Sequence, residues 1–222
     1  MILPLKHVIV LPEEYLTFVL IHCGVVVNKV WNVSHNLSAE GIANINATMP
    51  LLLKSHGDYG VVFRNKVGRE YALYFIEVME VGVHKVFYFL LTLKSGQRRG
   101  LADKETGRMI VSVIVQYLQE HPDYLLCYSH ADNSNSNALR RLFHRWMNEN
   151  SDVFHGNTEW FESTDIKDQN NSFHFMVMMN SQCSDKAMLK EFILENSYEF
   201  AMTVKKQMNL FWEIKRKHQA EP

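Results

Sequence analysis

Apolar residues alternate with polar or smaller ones through much of the first half of the chain, and beyond residue 103 they recur three and four apart instead. Alternation lines one face of a strand, and the longer spacing lines one stripe of a helix. Residues 59–67 and 70–81 follow the strand pattern, the second through Tyr71, Leu73 and Phe75. Gly82 marks a tight turn, and residues 83–93 alternate again, with Val83, Lys85, Phe87, Phe89 and Leu91 on one face. The three stretches predict an antiparallel meander. A helix is expected over 103–120, with Ile110, Val113, Ile114, Tyr117 and Leu118 as its buried stripe and His121-Pro122 as its stop. Residues 124–129 read as a short apolar strand. Residues 137–149 read as a helix with Leu139, Leu142, Phe143 and Trp146 on its core side. Two more strands, over 158–165 and 172–180, are joined by the loop KDQNN. A final helix, capped by Ser184 or Asp185, runs with a break to near residue 217.

The predicted order is β-β-β-α-β-α-β-β-α. The helix between the third and fourth strands makes a right-handed crossover, so those strands lie parallel while their neighbours are antiparallel. The fold class is therefore α/β: a mixed, mostly antiparallel sheet with helices on both faces.

The two ends differ from this middle. Residues 1–48 contain no Arg and no Asp and finish in a polar, turn-like run with sequons at Asn32, Asn36 and Asn46. Either this N-terminal extension precedes a natural start at Met49, or it adds an edge strand and a helix to the α/β domain of residues 49–204. Residues 205–222 form a basic amphipathic tail, with Met208, Phe211, Trp212 and Ile214 set among Lys205, Lys206, Lys215, Arg216 and Lys217. Such a tail suits a membrane surface or a partner, and packing on its own domain or a dimer mate is the plainer expectation. The apolar run 15–27 is shorter than the roughly 20 residues of a spanning helix and carries His22, so a buried element is expected.

Composition narrows the class further. Apolar residues make up 47% and charged residues 21% of the 222, which is globular. Lys plus Arg number 23 against 24 Asp plus Glu, a balance that disfavours an extended nucleic-acid surface. Cys23, Cys127 and Cys183 are odd in number and far apart, as expected of a reduced, cytoplasmic protein rather than a disulfide framework. No metal-binding spacing links the 11 histidines, and no metal is expected.

Ligands of α/β proteins gather where a strand ends and the next helix begins. One such place is the strand end Cys127, Tyr128, Ser129 and His130, with Asp132 nearby. Neighbours along a strand point to opposite faces, which disfavours a nucleophilic triad, and Cys127 reads as a small buried hydrophobe. The other is Gln97-Arg98-Arg99-Gly100-Leu101-Ala102, ahead of the first long helix. This run and the order of elements resemble the Gcn5-related N-acetyltransferase fold. In that family a loop of this form cradles the pyrophosphate of acetyl-CoA. The resemblance implies cofactor contacts from Gln97, Arg98, Arg99, Gly100 and Ala102, and from Asn135 ahead of the next helix. It also implies a tyrosine acid near position 142, where this chain has Leu142 and then Phe143. Asp103 and Glu105 put carboxylates beside the phosphate position. Over roughly residues 59–200 the chain also resembles an uncharacterised bacterial family, through Cys127-Tyr128-Ser129 and Arg141-Leu142-Phe143-His144-Arg145-Trp146. That second resemblance brings no activity with it.

The leading expectation is thus an acyl-CoA-dependent N-acyltransferase or an inactive relative, using acetyl-CoA. Glu77 or His130 would serve as base and Tyr128 as acid. The alternative is a non-enzymatic module that meets a protein or nucleic-acid partner through Arg140, Arg141, His144 and Arg145 on one flank of helix 137–149.

Overall fold

A computed structural model describes residues 19–20, 25–26, 36–57, 60–96, 103–131, 136–168 and 171–220. In chain order its elements are β1 (Val19–Leu20), β2 (Val25–Val26), α1 (Ala39–Thr48), β3 (Leu53–Ser55), β4 (Gly60–Arg64), β5 (Glu70–Val81) and β6 (His84–Ser95). There follow α2 (Lys104–Glu120), β7 (Leu125–Ala131), α3 (Ser136–Glu149) and α4 (Ser151–Phe154). The last are β8 (Thr158–Asp168), β9 (Asn171–Asn180), α5 (Lys186–Glu195) and α6 (Ser197–Ala220).

The expected meander is present as β4, β5 and β6, with Gly82 at φ +63° in the turn between the last two. It forms the middle of a seven-stranded sheet ordered β3-β4-β5-β6-β7-β9-β8. The β6–β7 pair is parallel, as the crossover requires, and every other pair in the sheet is antiparallel. β1 and β2 pair with each other in a separate two-stranded sheet.

Both faces of the sheet are covered. On one, Phe75, Phe87 and Phe89 pack with Ile110, Val113, Ile114 and Tyr117 of α2, with Phe143 and Trp146 of α3, and with Ile45 of α1. On the other, Ile76, Val86 and Val177 pack with Leu189 and Ile193 of α5 and with Phe200, Val204 and Met208 of α6. One buried face on residues 83–93 is therefore too simple an expectation. His84 and Val86 are buried as well as Phe87 and Phe89, while Val83 stands 85% exposed in the turn. A register shift between Glu77 and Met79 also lets Val78 and Met79, successive residues, join the same core.

The polar run before residue 49 is built into the domain, although its composition reads as turn-like. Ser38 caps α1 by accepting from the Gly41 N–H at 2.9 Å, and its own hydroxyl donates to Glu120 Oε1 at 2.9 Å. Asn46 brackets the backbone of Leu53, donating to its carbonyl at 2.9 Å and accepting from its N–H at 2.7 Å. Leu37 and Ile45 lie in the first core. At the other end α6 runs unbroken through position 205, so the tail begins inside a helix whose first half is core. His84 fixes the start of this C-terminal layer. Its Nδ1 lies 3.0 Å from the Asp123 carbonyl and its Nε2 3.0 Å from Oδ2 of Asp185, the residue that precedes α5. Among the described residues no helix is long and apolar enough to cross a membrane.

Candidate functional site

The parallel pair is short. Val86–Leu125, Phe87–Leu126 and Tyr88–Cys127 are in register, yet β6 continues to Ser95 and β7 to Ala131. Beyond Tyr88, β6 stays with β5, and beyond Cys127, β7 stays with β9. Two hairpin-like halves of the sheet thus part at the carboxyl ends of parallel strands. Every buried backbone N–H and C=O requires a partner. A place where a ladder stops in mid-sheet is therefore a place for water or a ligand.

The alternation of β6 and β7 decides what looks into the split. On the α3 side Phe143 fills it, stacked on Tyr128 at 4.5 Å between ring centres and meeting Phe89 edge-on at 6.1 Å. On the α6 side the Tyr88 hydroxyl donates to the Ser129 carbonyl at 2.9 Å and ties the two strands where they separate. Next to that bond is a cleft of about 210 Å³, with Tyr88, Leu90 and Phe175 on the sheet and Lys205, Met208 and Trp212 on α6.

The residues singled out by sequence fall into three groups. Gln97, Arg98, Arg99, Gly100, Ala102 and Asn135 lie outside the described residues, but the frame around the first five is defined. Gly96 adopts φ +103° where β6 ends, and Asp103 caps α2 where the helix begins. The Asp103 carboxylate accepts from the Thr106 N–H at 2.7 Å, the Thr106 hydroxyl at 2.9 Å and the Asn65 side-chain amide at 2.8 Å. Buried Asn65 also accepts from the Arg69 N–H at 2.9 Å, so the β4–β5 turn anchors the start of α2. Glu105 pairs with Lys66 of the same turn.

The second group holds the residues expected to act as acid and base. Tyr128 is buried in the split, and burial pushes its hydroxyl well above the ordinary tyrosine range. The backbone of His130 is in register with His174 of β9, beyond the parting point. Glu77 is opposite Phe87, before the strands part, and takes the Lys85 ammonium at 3.3 Å.

The third group is the basic flank of α3, and the structure turns half of it inward. Arg140 donates to both oxygens of Glu162 on β8, at 2.7 and 3.4 Å, and His144 lies 2.6 Å from Oε1 of the same carboxylate. Arg141 is exposed, and Arg145 is 3.9 Å from Glu149 one turn on. Glu162, Tyr88 and Ser129 have structural parts here that spacing did not assign. Glu162 is separated from its partners by α4 and the start of β8, whereas Tyr88 and Ser129 follow from strand alternation once β6 and β7 are set side by side. No family model matches the chain, and no curated protein or solved structure matches it either.

Proposed function

We propose that the chain is an acyl-CoA-dependent N-acyltransferase, or a relative that keeps the cofactor cleft without the chemistry. The observation that carries this reading is the early end of the β6–β7 ladder. An extended ligand arm bearing amide groups suits such a gap, because peptide donors and acceptors flank it on both sides. Gln97, Arg98, Arg99, Gly100 and Ala102 would hold the pyrophosphate, and Asn135 would add a contact. Asp103 is compatible with that role because three donors already occupy its carboxylate.

In the transfer an amine nitrogen attacks the thioester carbonyl, the C–N bond forms and the C–S bond breaks. The ammonium proton passes to a base and the thiolate leaves. We take His130 as that base, because the Glu77 carboxylate is engaged by Lys85 before the strands part. The raised hydroxyl of Tyr128 makes it a poor acid. None is needed, because an alkyl thiol with a pKa of roughly 8.5 leaves as thiolate and takes its proton from water. Phe143 in place of a hydroxyl-bearing residue is consistent with that. The interaction-module alternative is weakened by Glu162, which holds Arg140 and His144 against the domain.

Calorimetric titration of acetyl-CoA into the full chain tests the proposal. Micromolar binding is expected, lost in Gly100→Glu and kept when Arg141 and Arg145 are both changed to Glu. No binding of acetyl-CoA at millimolar concentration by the folded protein would overturn it.

A further inference from the structure

The rows of side chains on the α6 face of the sheet show where that core stops being filled. One row runs Ile76, Tyr88, Cys127 and Val177 across β5, β6, β7 and β9, and all four belong to the second core or pack against it. The next row runs Tyr74, Leu90, Ser129 and Phe175. Alternation points Ser129 to the same face as Cys127. A small hydroxyl side chain therefore stands between Leu90 and Phe175, just where the β6–β7 ladder has ended. Across from it on α6 the lining residue is Ala201, which is also small. The outcome is the cleft of about 210 Å³ in place of packed core. Space left beside Leu90, Phe175, Met208 and Trp212 costs stability unless something apolar fills it. Lys205 and His174 line the cleft too, and both are already engaged within the protein, so neither calls for an ionic guest.

We infer that this cleft receives the acyl group of the thioester, and that the group is a neutral, unbranched chain of about six to eight carbons. The inference rests on the acyltransferase reading above. Tyr88 and Ser129, tied to each other across the parting strands, border the split and also line the cleft, so the two spaces adjoin. A dry apolar cavity of about 150 Å³ takes a benzene ring. The larger volume here therefore takes a somewhat longer hydrocarbon, with Leu90, Phe175, Met208 and Trp212 as the wall against which its methylene groups lie.

Acetyl-CoA, hexanoyl-CoA and adipoyl-CoA separate chain length from end-group charge, because the last two share their length and differ in methyl against carboxylate. Calorimetry on the full chain should show hexanoyl-CoA bound at least about tenfold more tightly than acetyl-CoA, since each buried methylene contributes about fourfold. Adipoyl-CoA should bind at least about tenfold more weakly than hexanoyl-CoA, because its carboxylate would enter an apolar space. Ala201→Leu fills the cleft from α6 and Ser129→Leu fills it from β7. Each should bring the hexanoyl-to-acetyl ratio close to one, with circular dichroism showing the variant folded. If neither variant folds, the comparison on the unmodified protein decides. Equal affinities there for hexanoyl-CoA and acetyl-CoA overturn the acyl cleft and leave the transferase reading standing. A preference that survives in either folded variant places the chain elsewhere and overturns the cleft as well. Adipoyl-CoA bound as tightly as hexanoyl-CoA overturns the neutral class. Failure of all three esters to bind removes both readings.

Discussion

Glu162 shows how a single side chain changes the meaning of a sequence pattern. Burial raises its carboxyl, but hydrogen bonds from Arg140 and His144, with their charges, outweigh that and hold it below the ordinary carboxylate value of 4.5. A lowered folded-state pKa contributes stability above the unfolded value, and that contribution is lost as pH falls through the folded value. Glu162→Gln should therefore cost about 1–3 kcal/mol near neutral pH, and urea melts should show the gap from the unmodified protein closing as the pH is lowered below 4. A second residue to test is His84, both of whose ring nitrogens face oxygen acceptors. His84→Leu should destabilise by about 1–3 kcal/mol through the stranded acceptor groups, measured by urea unfolding at fixed pH. Neither role was legible in the sequence. The four-residue spacing of Arg140 and His144 marks a charged flank of a helix, but their common partner lies on a strand beyond α4, and Asp185 lies 101 positions from His84.

Elements were far more legible than their junctions. α2 and the meander strands follow from their apolar periodicity, even though β5 and β6 are buried on both faces and α2 is buried without a break from Met109 to Val115. α1 was only one of two alternatives for residues 1–48, because AEGIANINAT buries little beyond Gly41 and Ile45 and reads as turn-like. The register shift after Glu77 escaped for the opposite reason: it breaks the period inside an otherwise regular strand. The contact of α2 with α3 rests on a feature no periodicity reveals, a glycine on the first turns of α2. A Cβ at Gly107 would lie 2.2 Å from Cδ1 of Trp146, so Gly107→Ala should cost about 1–3 kcal/mol by overpacking and push α3 outward. Because Phe143 rides on α3 and fills the split, the same variant should weaken acetyl-CoA binding although it touches no ligand. A lowered thermal midpoint with unchanged cofactor affinity would show that the split tolerates movement of α3.

At the scale of the molecule the sheet is shared by two cores of different origin. The α2 side is closed by elements drawn from residues 37–154, whereas the opposite side gathers strands from residue 76 onward under helices that begin at residue 186. A chain ending at Asn196 should retain strand content by circular dichroism yet bind a hydrophobic dye strongly, since Phe200, Ala201, Val204 and Met208 would no longer cover Ile76, Val86 and Val177. A truncated protein that stays soluble and dye-negative would show that α6 is dispensable for the second core. The same arrangement bears on how the protein is made. During synthesis the meander leaves the ribosome more than 100 residues ahead of the helix that roofs its far face. For that interval one side of the nascent sheet is an uncovered apolar surface, and the polypeptide depends on chaperone shelter or rapid elongation to reach its native state without self-association.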